Sequence, residues 1–257
     1  MAFRTDGSVH YEGIANEDNL KIRLETYLAR LLWPNLEDDF TVNHRGGTKF
    51  KQDVEVQDQN SIRLISAKRK KSIASGSFDY INTSRPVNEE TIFEPIRELS
   101  RSLRNEDTSV SRARRLFNET AHGVMREMSG ETLKRLLKEY VADKNENIMV
   151  IITDSTTNTD YAFNFKDTPL YNAICNYTPQ FRWGRGKTSA KIVFRDSQGD
   201  EHDFGLRGRL VLNNGVRALL GLSSANKSSQ AVFKVQQDKV AKMLSQIPTL
   251  QTFKENQ

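Results

Sequence analysis

The sequence has one cysteine, four histidines and no long apolar run, and each scarcity excludes a class of protein. A single cysteine, Cys175, cannot form an internal disulfide or a zinc site built mainly from cysteines, and this favours a reducing compartment. No apolar stretch approaches the roughly 20 residues of a membrane-spanning helix. The first ten residues also lack the apolar core of a signal peptide. We therefore expect a cytoplasmic protein that has no membrane partner.

The histidines are too scattered to form a metal or nucleophile motif. They show neither HxxxH nor HNH-like spacing and lie at His10, His44, His122 and His202. For the one nearest the candidate site described below, His44, we expect a hydrogen bond within a loop. The glycine-rich segment GRGK, from Gly184 to Lys187, lacks the spacing of a phosphate-binding P-loop.

Positive charge is in moderate excess but is unevenly distributed. The formal net charge is +5 over 257 residues, yet residues 61–85 hold six bases and one acid, and residues 182–195 hold five bases and no acid. A solvated face is the alternative explanation for either run alone, but two such runs favour a polyanionic partner, namely double-stranded DNA. The residues that we expect to contact DNA are Arg69, Lys70, Lys71, Ser72, Arg182, Arg185 and Lys187.

Hydrophobic periodicity predicts one α/β domain over residues 1–257, with a mixed central sheet flanked by helices. Leucines at helical spacing indicate a helix from Asn16 to Trp33, with Asn16 as its N-cap. A helical region is expected at about residues 86–142, and the apolar run from Ile148 to Thr153 reads as a central strand. The spacing of valines predicts a further helix from Ser228 to Ile247.

The stretch from Gly46 to Ser72 predicts a hairpin that carries the chemistry. Val54 and Val56 alternate with polar residues, as in a half-buried strand, and a polar QDQNS turn leads into a second strand that ends at Lys68. Asp53 begins the first strand. A hairpin therefore brings an acid and a lysine within reach of one metal ion and one phosphate.

Asp53 followed by Ser66-Ala67-Lys68 resembles the layout of the PD-(D/E)XK nucleases. Residues 12–17, opening an amphipathic helix, together with GGTKFKQDVEV and ISAKRKKSIASGSFDY, resemble small Type II restriction endonucleases of the MspI and HinP kind. The resemblance covers roughly residues 12–85. The superfamily usually has an acid where this chain has Ser66, but in these small enzymes a polar, non-acidic residue also precedes x-Lys.

The resemblance implies a restriction-endonuclease-like core at about residues 12–85 plus later strands, and a Mg²⁺-dependent endonuclease acting on DNA. In that scheme Asp53 is the principal metal ligand, the Ala67 carbonyl is a second ligand, and Ser66 occupies the position of the second acid. Lys68 orients or acidifies the attacking water, and Glu17 is an outer-shell or second-metal ligand.

Glu55 and Glu17 each have more than one interpretation. Glu55 is two residues from Asp53, so on a regular strand both side chains point to one face, and Glu55 is a candidate for the missing acid. A helix-end charge remains the alternative for Glu17, and a surface salt bridge worth about 0–1 kcal/mol remains the alternative for Asp53 with Lys68.

Two other functions also remain open. One is a catalytically inactive DNA-binding module with a nuclease fold, and the other is a repair or phage nuclease that selects DNA structure. The chain is expected to act as a monomer or a homodimer.

Overall fold

The structure is a computed structural model that describes residues 8–45, 53–70, 73, 78–83, 85–105, 108–184, 190–212, 220, 229–235 and 239–254. Leucines spaced four residues apart build its first helix. Leu20, Leu24, Leu28 and Leu32 are all buried, and Pro34 follows the end of the helix. Among the described residues, no helix is both long and apolar enough to cross a bilayer.

The helices are α1 (Ser8–Arg23), which continues through a π-helical turn (Leu24–Leu28) into α2 (Ala29–Leu32), then α3 (Arg85–Glu89), α4 (Glu94–Asn105), α5 (Val110–Glu127), α6 (Gly130–Leu137), α7 (Asp143–Asn145), α8 (Pro169–Asn176) and α9 (Val240–Ser245). A second π-helical turn (Lys138–Ala142) joins α6 to α7, and short 3₁₀ turns lie at Thr91–Phe93 and Phe165–Asp167. The strands are β1 (Thr41–His44), β2 (Val54–Gln57), β3 (Ile62–Lys70), β4 (Phe78–Thr83), β5 (Ile148–Asp154), β6 (Thr159–Asn164), β7 (Thr178–Arg182), β8 (Ala190–Arg195), β9 (Glu201–His202), β10 (Leu206–Leu212), β11 (Ser229–Val235) and β12 (Gln251–Lys254).

The chain divides into two compact units. Unit 1 comprises Met1–Gly76, Lys144–Tyr171 and Ala241–Gln257, and unit 2 comprises Ser77–Asp143 and Asn172–Val240. The sheet of unit 1 has the strand order β1-β2-β3-β5-β6-β12, in which β3 and β5 are parallel and the other pairs are antiparallel. The expected α/β class with a mixed central sheet and flanking helices is therefore confirmed.

One face of the unit 1 sheet is apolar and packs against the first helix. The leucines of that helix share a buried cluster with Val54, Val56, Ile65 and Ala67 from β2 and β3. These four residues alternate along their strands with Glu55 and Ser66, so the polar side chains are directed away from the leucines. The predicted hairpin is present: β2 and β3 pair antiparallel.

Unit 2 contains the predicted helical region and a second sheet. Ser109 and Ser129 cap α5 and α6, since each side chain accepts a hydrogen bond from a backbone amide three residues on. The sheet has the order β4-β11-β10-β8-β7, with β9 paired to β8, and all of its described pairings are antiparallel.

Three sequence-based predictions are wrong. α1 begins at Ser8, so Asn16 lies within the helix and is not its N-cap. The segment predicted as one helix from Ser228 to Ile247 contains β11 and α9, because β11 is paired on both sides and its valines are buried in a sheet. β3 does not end at Lys68: the parallel strand β5 pairs with it as far as Lys70.

The turn between β2 and β3 is organised by Asp58. Its carboxylate accepts hydrogen bonds from the amides of Asn60 and Ser61 at 3.0 and 2.7 Å and from Arg63 at 2.7 Å. The hydrogen bond from Arg63, followed by those from Ser61 and Asn60, outweighs desolvation and lowers the pKa of Asp58 to about 2. Ionised Asp58 therefore fixes the register of the hairpin that carries Asp53.

We expect Asp58→Asn to destabilise the protein at pH 5, by an amount that shrinks as the pH falls. The folded-state pKa lies below the ordinary value of 3.8, so the ionised group stabilises the native state above pH 3.8. That contribution is lost as the pH falls through about 2. Denaturant unfolding of wild type and variant across this range measures the effect. Asp18→Asn, an exposed change on α1, is the control, and a pH-independent difference for Asp58→Asn would contradict the assignment.

Candidate active site

Asp53 lies directly before β2, at a point where the chain leaves the regular ladder. Val54 pairs with Ile65, and the Asp53 amide also donates to the Ile65 carbonyl at 2.8 Å. Two residues opposite one is the arrangement of a β-bulge, which redirects a side chain. The Asp53 Oδ2 atom accepts hydrogen bonds from the Ala67 amide at 2.7 Å and from Ser66 Oγ at 3.1 Å. The carboxylate is thus anchored across the hairpin.

Lys68 completes the predicted acid and lysine pair. Its Nζ lies 3.7 Å from Asp53 Oδ2, and its side chain is 30% exposed. Ser66 is buried beside it. The structure therefore brings together Asp53, Ser66, Ala67 and Lys68.

Glu17 and His44 form a hydrogen-bonded pair next to Asp53. Glu17 is on α1 and His44 is the last residue of β1, and Glu17 Oε2 is 2.5 Å from His44 Nε2. Burial, followed by the negative charge of Asp53, raises the pKa of Glu17, against the opposing effects of His44 and Lys68. Glu17 therefore shares an electrostatic environment with Asp53 and Lys68. His44 bonds this carboxylate from a strand, not from a loop as expected.

We expect Glu17→Gln to become progressively more stable relative to wild type as the pH rises above 4.5 in a metal-chelating buffer. Because the folded-state pKa is raised above the ordinary 4.5, native wild type retains a proton that the unfolded chain has lost. Native stability therefore falls as the pH rises through the folded-state pKa. Denaturant unfolding at several pH values measures the difference. A difference that stays constant or moves the other way would contradict the burial of Glu17 beside Asp53.

Glu55 is engaged elsewhere. Its carboxylate is 3.0 Å from a guanidinium nitrogen of Arg45, and its side chain is only 4% exposed. The charge of Glu55 is therefore balanced by Arg45, whereas the carboxylates of Asp53 and Glu17 repel one another.

The donor set of this site suits a Mg²⁺ ion. Within the described ranges, no group of three or more His, Cys, Asp or Glu residues is placed to hold a metal. Mg²⁺ needs only one or two carboxylates, because it keeps several of its waters. Burial, and after it the negative charge of Asp53, raises the pKa of Glu17, and a bound cation would offset the charge of both carboxylates. We infer that Asp53 would hold the ion, with the Ala67 carbonyl as a further oxygen ligand and Glu17 as an outer-shell ligand.

The expected DNA-contacting residues lie in different surroundings. Arg69 is exposed on β3 and donates from Nε to Ser155 Oγ at 2.8 Å, and Lys70 is paired in register with Asp154 of β5. Arg182, the last residue of β7, forms an ion pair of 2.8 Å with Glu201. Four of the predicted contacts lie outside the described residues: Lys71, Ser72, Arg185 and Lys187.

A polar cavity of about 350 Å³ lies between α1 and the ends of β3 and β5. Its wall includes Asn16, Asn19 and Arg23 from the helix, and Arg69 and Ser155 from the sheet side. Arg23 is neutralised by the buried Asp160, whereas Arg69 has no carboxylate partner in the part of the chain that the structure describes. Asn16 and Arg69 directly neighbour Glu17 and Lys68 in sequence, but Arg69 and Lys68 point to opposite faces of β3.

No family model, curated protein or solved structure matches the chain. The case for a function therefore depends on the geometry of the site. Sequence reasoning named most of the side chains found together, but it missed His44. The signal for His44 was its position at the end of the strand that precedes the hairpin.

Proposed function

We propose that the protein is a Mg²⁺-dependent endonuclease that hydrolyses phosphodiester bonds in double-stranded DNA. The observation that carries this proposal is the position of the Asp53 carboxylate, 3.7 Å from the Lys68 ammonium and next to the Glu17–His44 pair. This arrangement combines two acids for a metal with a cation for a phosphate. A structural salt bridge between Asp53 and Lys68 would not require a second, partly buried carboxylate beside it.

Each group has a distinct part in hydrolysis. The oxygen of a water molecule attacks phosphorus, one ester P–O bond breaks, and the water proton must leave as the bond forms. Lys68 offsets negative charge that develops on the phosphoryl oxygens. Glu17, which would lie in the outer shell of the ion, takes up the proton, and His44 fixes its orientation. When bound, Mg²⁺ supplies positive charge at the phosphate.

The charge of the surroundings supports a nucleic-acid substrate. The cavity between α1 and the ends of β3 and β5 contains two guanidinium groups and several amides and hydroxyls, and no carboxylate of a described residue forms its wall. Such walls suit the sugar-phosphate backbone of a nucleic acid. Arg69 contributes an unbalanced positive charge here, and Lys70 follows it in the strand. A restriction endonuclease with a short recognition site is the form of the proposal that the family resemblance favours.

Incubation of the purified protein with plasmid DNA and Mg²⁺, followed by sequencing of the fragment ends, tests the proposal. A restriction enzyme yields discrete fragments whose ends share one short sequence. Ends that map to branches or distortions indicate a structure-selective nuclease. Intact DNA with bound protein in Mg²⁺ contradicts an endonuclease and indicates a DNA-binding module. Ser66 in place of an acid is the observation that favours that second candidate.

A further inference from the structure

The apolar face of the unit 1 sheet becomes polar where β3 and β5 end. Ala67 and Ile151 are register partners in the buried cluster that packs against the first helix. Two residues further along these strands, on the same face, Arg69 is the register partner of Thr153, and Thr153 is the partner of Asp160 of β6. The polar cavity of about 350 Å³ lies there, at the carboxyl ends of two parallel strands. Ligands of α/β proteins commonly bind at such an edge.

The cavity wall carries one positive charge that no described acid balances. Arg23 of α1 forms an ion pair with Asp160 and donates to Thr153 Oγ1 at 3.1 Å. Arg69 donates from Nε to the uncharged Ser155 Oγ at 2.8 Å and has no ion pair with any residue that the structure describes. Both guanidinium groups are thus held in place before a ligand arrives. The two terminal amino groups of Arg69, which bond to no described residue, can bind an anion.

The cavity also offers amide groups that can both donate and accept hydrogen bonds. Asn16 lines it from α1 and is only 6% exposed, and its side chain has no hydrogen bond with another described residue. An unpaired amide in such a position is unfavourable, and a ligand with a hydrogen-bonding edge would satisfy it. Asn19 and Asn158 add two further amides to the wall. Asparagine matches the adjacent donor and acceptor of a nucleobase edge, whereas phosphodiester oxygens only accept.

The size and the apolar part of the wall favour a ligand larger than a phosphate. Ile22 of α1 lines the cavity and is 56% exposed. An aliphatic side chain beside a few polar groups is typical of pockets for small organic molecules, which begin at about 300 Å³. The cavity therefore combines a cation for a phosphate, amides for a base edge and an apolar side chain for the face of a base.

We propose that this polar cavity binds a single nucleotide, with its phosphate at Arg69 and its base between Ile22 and the amide of Asn16. Arg69 and Lys68 point to opposite faces of β3, so this pocket is separate from the pair of Asp53 and Lys68. The nucleotide has two possible sources. One is a nucleotide of bound DNA that leaves the base stack, and the other is a free mononucleotide that regulates the protein.

Calorimetric titration of the whole protein with each of the four deoxynucleoside 5′-monophosphates, in EDTA, tests the pocket. We expect at least one of them to bind with one site per chain. Arg69→Gln should weaken this binding about tenfold or more, because it removes charge-assisted hydrogen bonds to the phosphate. Asn16→Ala should weaken it about fivefold, the effect of one hydrogen bond between uncharged groups.

Arg114→Gln and Asn118→Ala on α5 are the matched controls, because they make similar substitutions at exposed positions of unit 2 and should bind as wild type does. Thermal melts establish folding, and if Arg69→Gln is unfolded, Asn16→Ala decides the matter. Absence of binding by all four mononucleotides up to about 1 mM, or wild-type affinity in both cavity variants, would overturn the pocket. Inorganic phosphate that binds as tightly as the best mononucleotide would overturn its assignment to a nucleotide.

Competition with a 20-base-pair duplex identifies the source of the nucleotide. Displacement of the mononucleotide by the duplex indicates that the pocket takes a nucleotide of bound DNA. A mononucleotide that stays bound at saturating duplex indicates a free nucleotide as the ligand.

The pocket rests on the proposed function only where the nucleotide comes from DNA. If the protein binds a mononucleotide through Arg69 and Asn16 but never cleaves DNA, the pocket stands and the nuclease proposal fails. If it cleaves DNA and binds no mononucleotide, the nuclease stands and the pocket fails.

Discussion

Replacing Asp53 with asparagine is expected to lower the rate of Mg²⁺-dependent DNA cleavage by about 10³-fold, the upper end of the range for one electrostatic group at an active site. Asparagine keeps an oxygen that accepts from the Ala67 amide and Ser66 Oγ, so the hairpin retains its hydrogen bonds. The negative charge that we propose holds the metal is lost. Asp53→Ala should be as inactive but less stable, because an unsatisfied amide costs about 1–3 kcal/mol.

Asp58→Asn provides a closely matched control for this experiment. It makes the same substitution in the same hairpin, at a carboxylate that is bonded to the turn and to Arg63. That variant should lose stability at neutral pH and still cleave DNA at nearly the wild-type rate once folded. Single-turnover rates at saturating protein and DNA affinity in Ca²⁺ separate catalysis from binding. Metal-dependent cutting by Asp53→Asn at the wild-type rate would reject the assignment of the site.

The hairpin was predictable because its information is local. The alternation around Val54 and Val56, the polar turn and the distance to Lys68 are all contained within residues 53–68, and they predicted the β2 and β3 pairing. The apolar run at residues 148–153 likewise predicted β5 as a central strand. In each case the hydrophobic pattern of the segment fits only one type of strand: an alternating pattern for the half-buried β2 and a continuous apolar run for the central β5.

Features that depend on distant partners were not predictable in the same way. β3 continues to Lys70 because β5, about 80 residues later, pairs with it in parallel. His44 meets Glu17 only because β1 and α1 belong to the same unit. β11 has valines at a spacing that also suits a helix, and its pairing with β4 and β10 decides the outcome.

The extension of β3 changes the expected role of the basic run after the hairpin. Arg69 and Lys70 are strand residues, so their side chains alternate and cannot all enter one groove as a loop would. Arg69 lies on the side of the sheet that faces α1 and lines the polar cavity there. Lys68 is next to Asp53 at the end of the hairpin. The adjacent residues Lys68 and Arg69 thus lie in different surroundings, one beside Asp53 and the other at the polar cavity.

We therefore expect Lys68→Gln and Arg69→Gln to affect different steps, although each removes one positive charge and the two positions are adjacent. The first should lower the cleavage rate and the second should weaken DNA binding. Lys68→Gln should reduce the single-turnover cleavage rate by about 10²–10³-fold, because it removes the positive charge that we propose acts on the reacting phosphate. Its DNA affinity in Ca²⁺ should change little. Arg69→Gln should weaken binding severalfold and lower the salt slope by about one, with a nearly normal rate at saturating protein.

The 3.7 Å separation of Lys68 Nζ from Asp53 Oδ2 is the reason to expect this division. A lysine held beside the carboxylate that we propose binds the metal would act where bonds change, whereas Arg69 is bonded to Ser155 and lines the cavity wall. If Lys68→Gln cleaves bound DNA at the wild-type rate, Lys68 only binds phosphate, and its proposed catalytic role in the hairpin is rejected. If both variants lose rate and keep affinity, the cavity belongs to the catalytic step rather than to backbone binding.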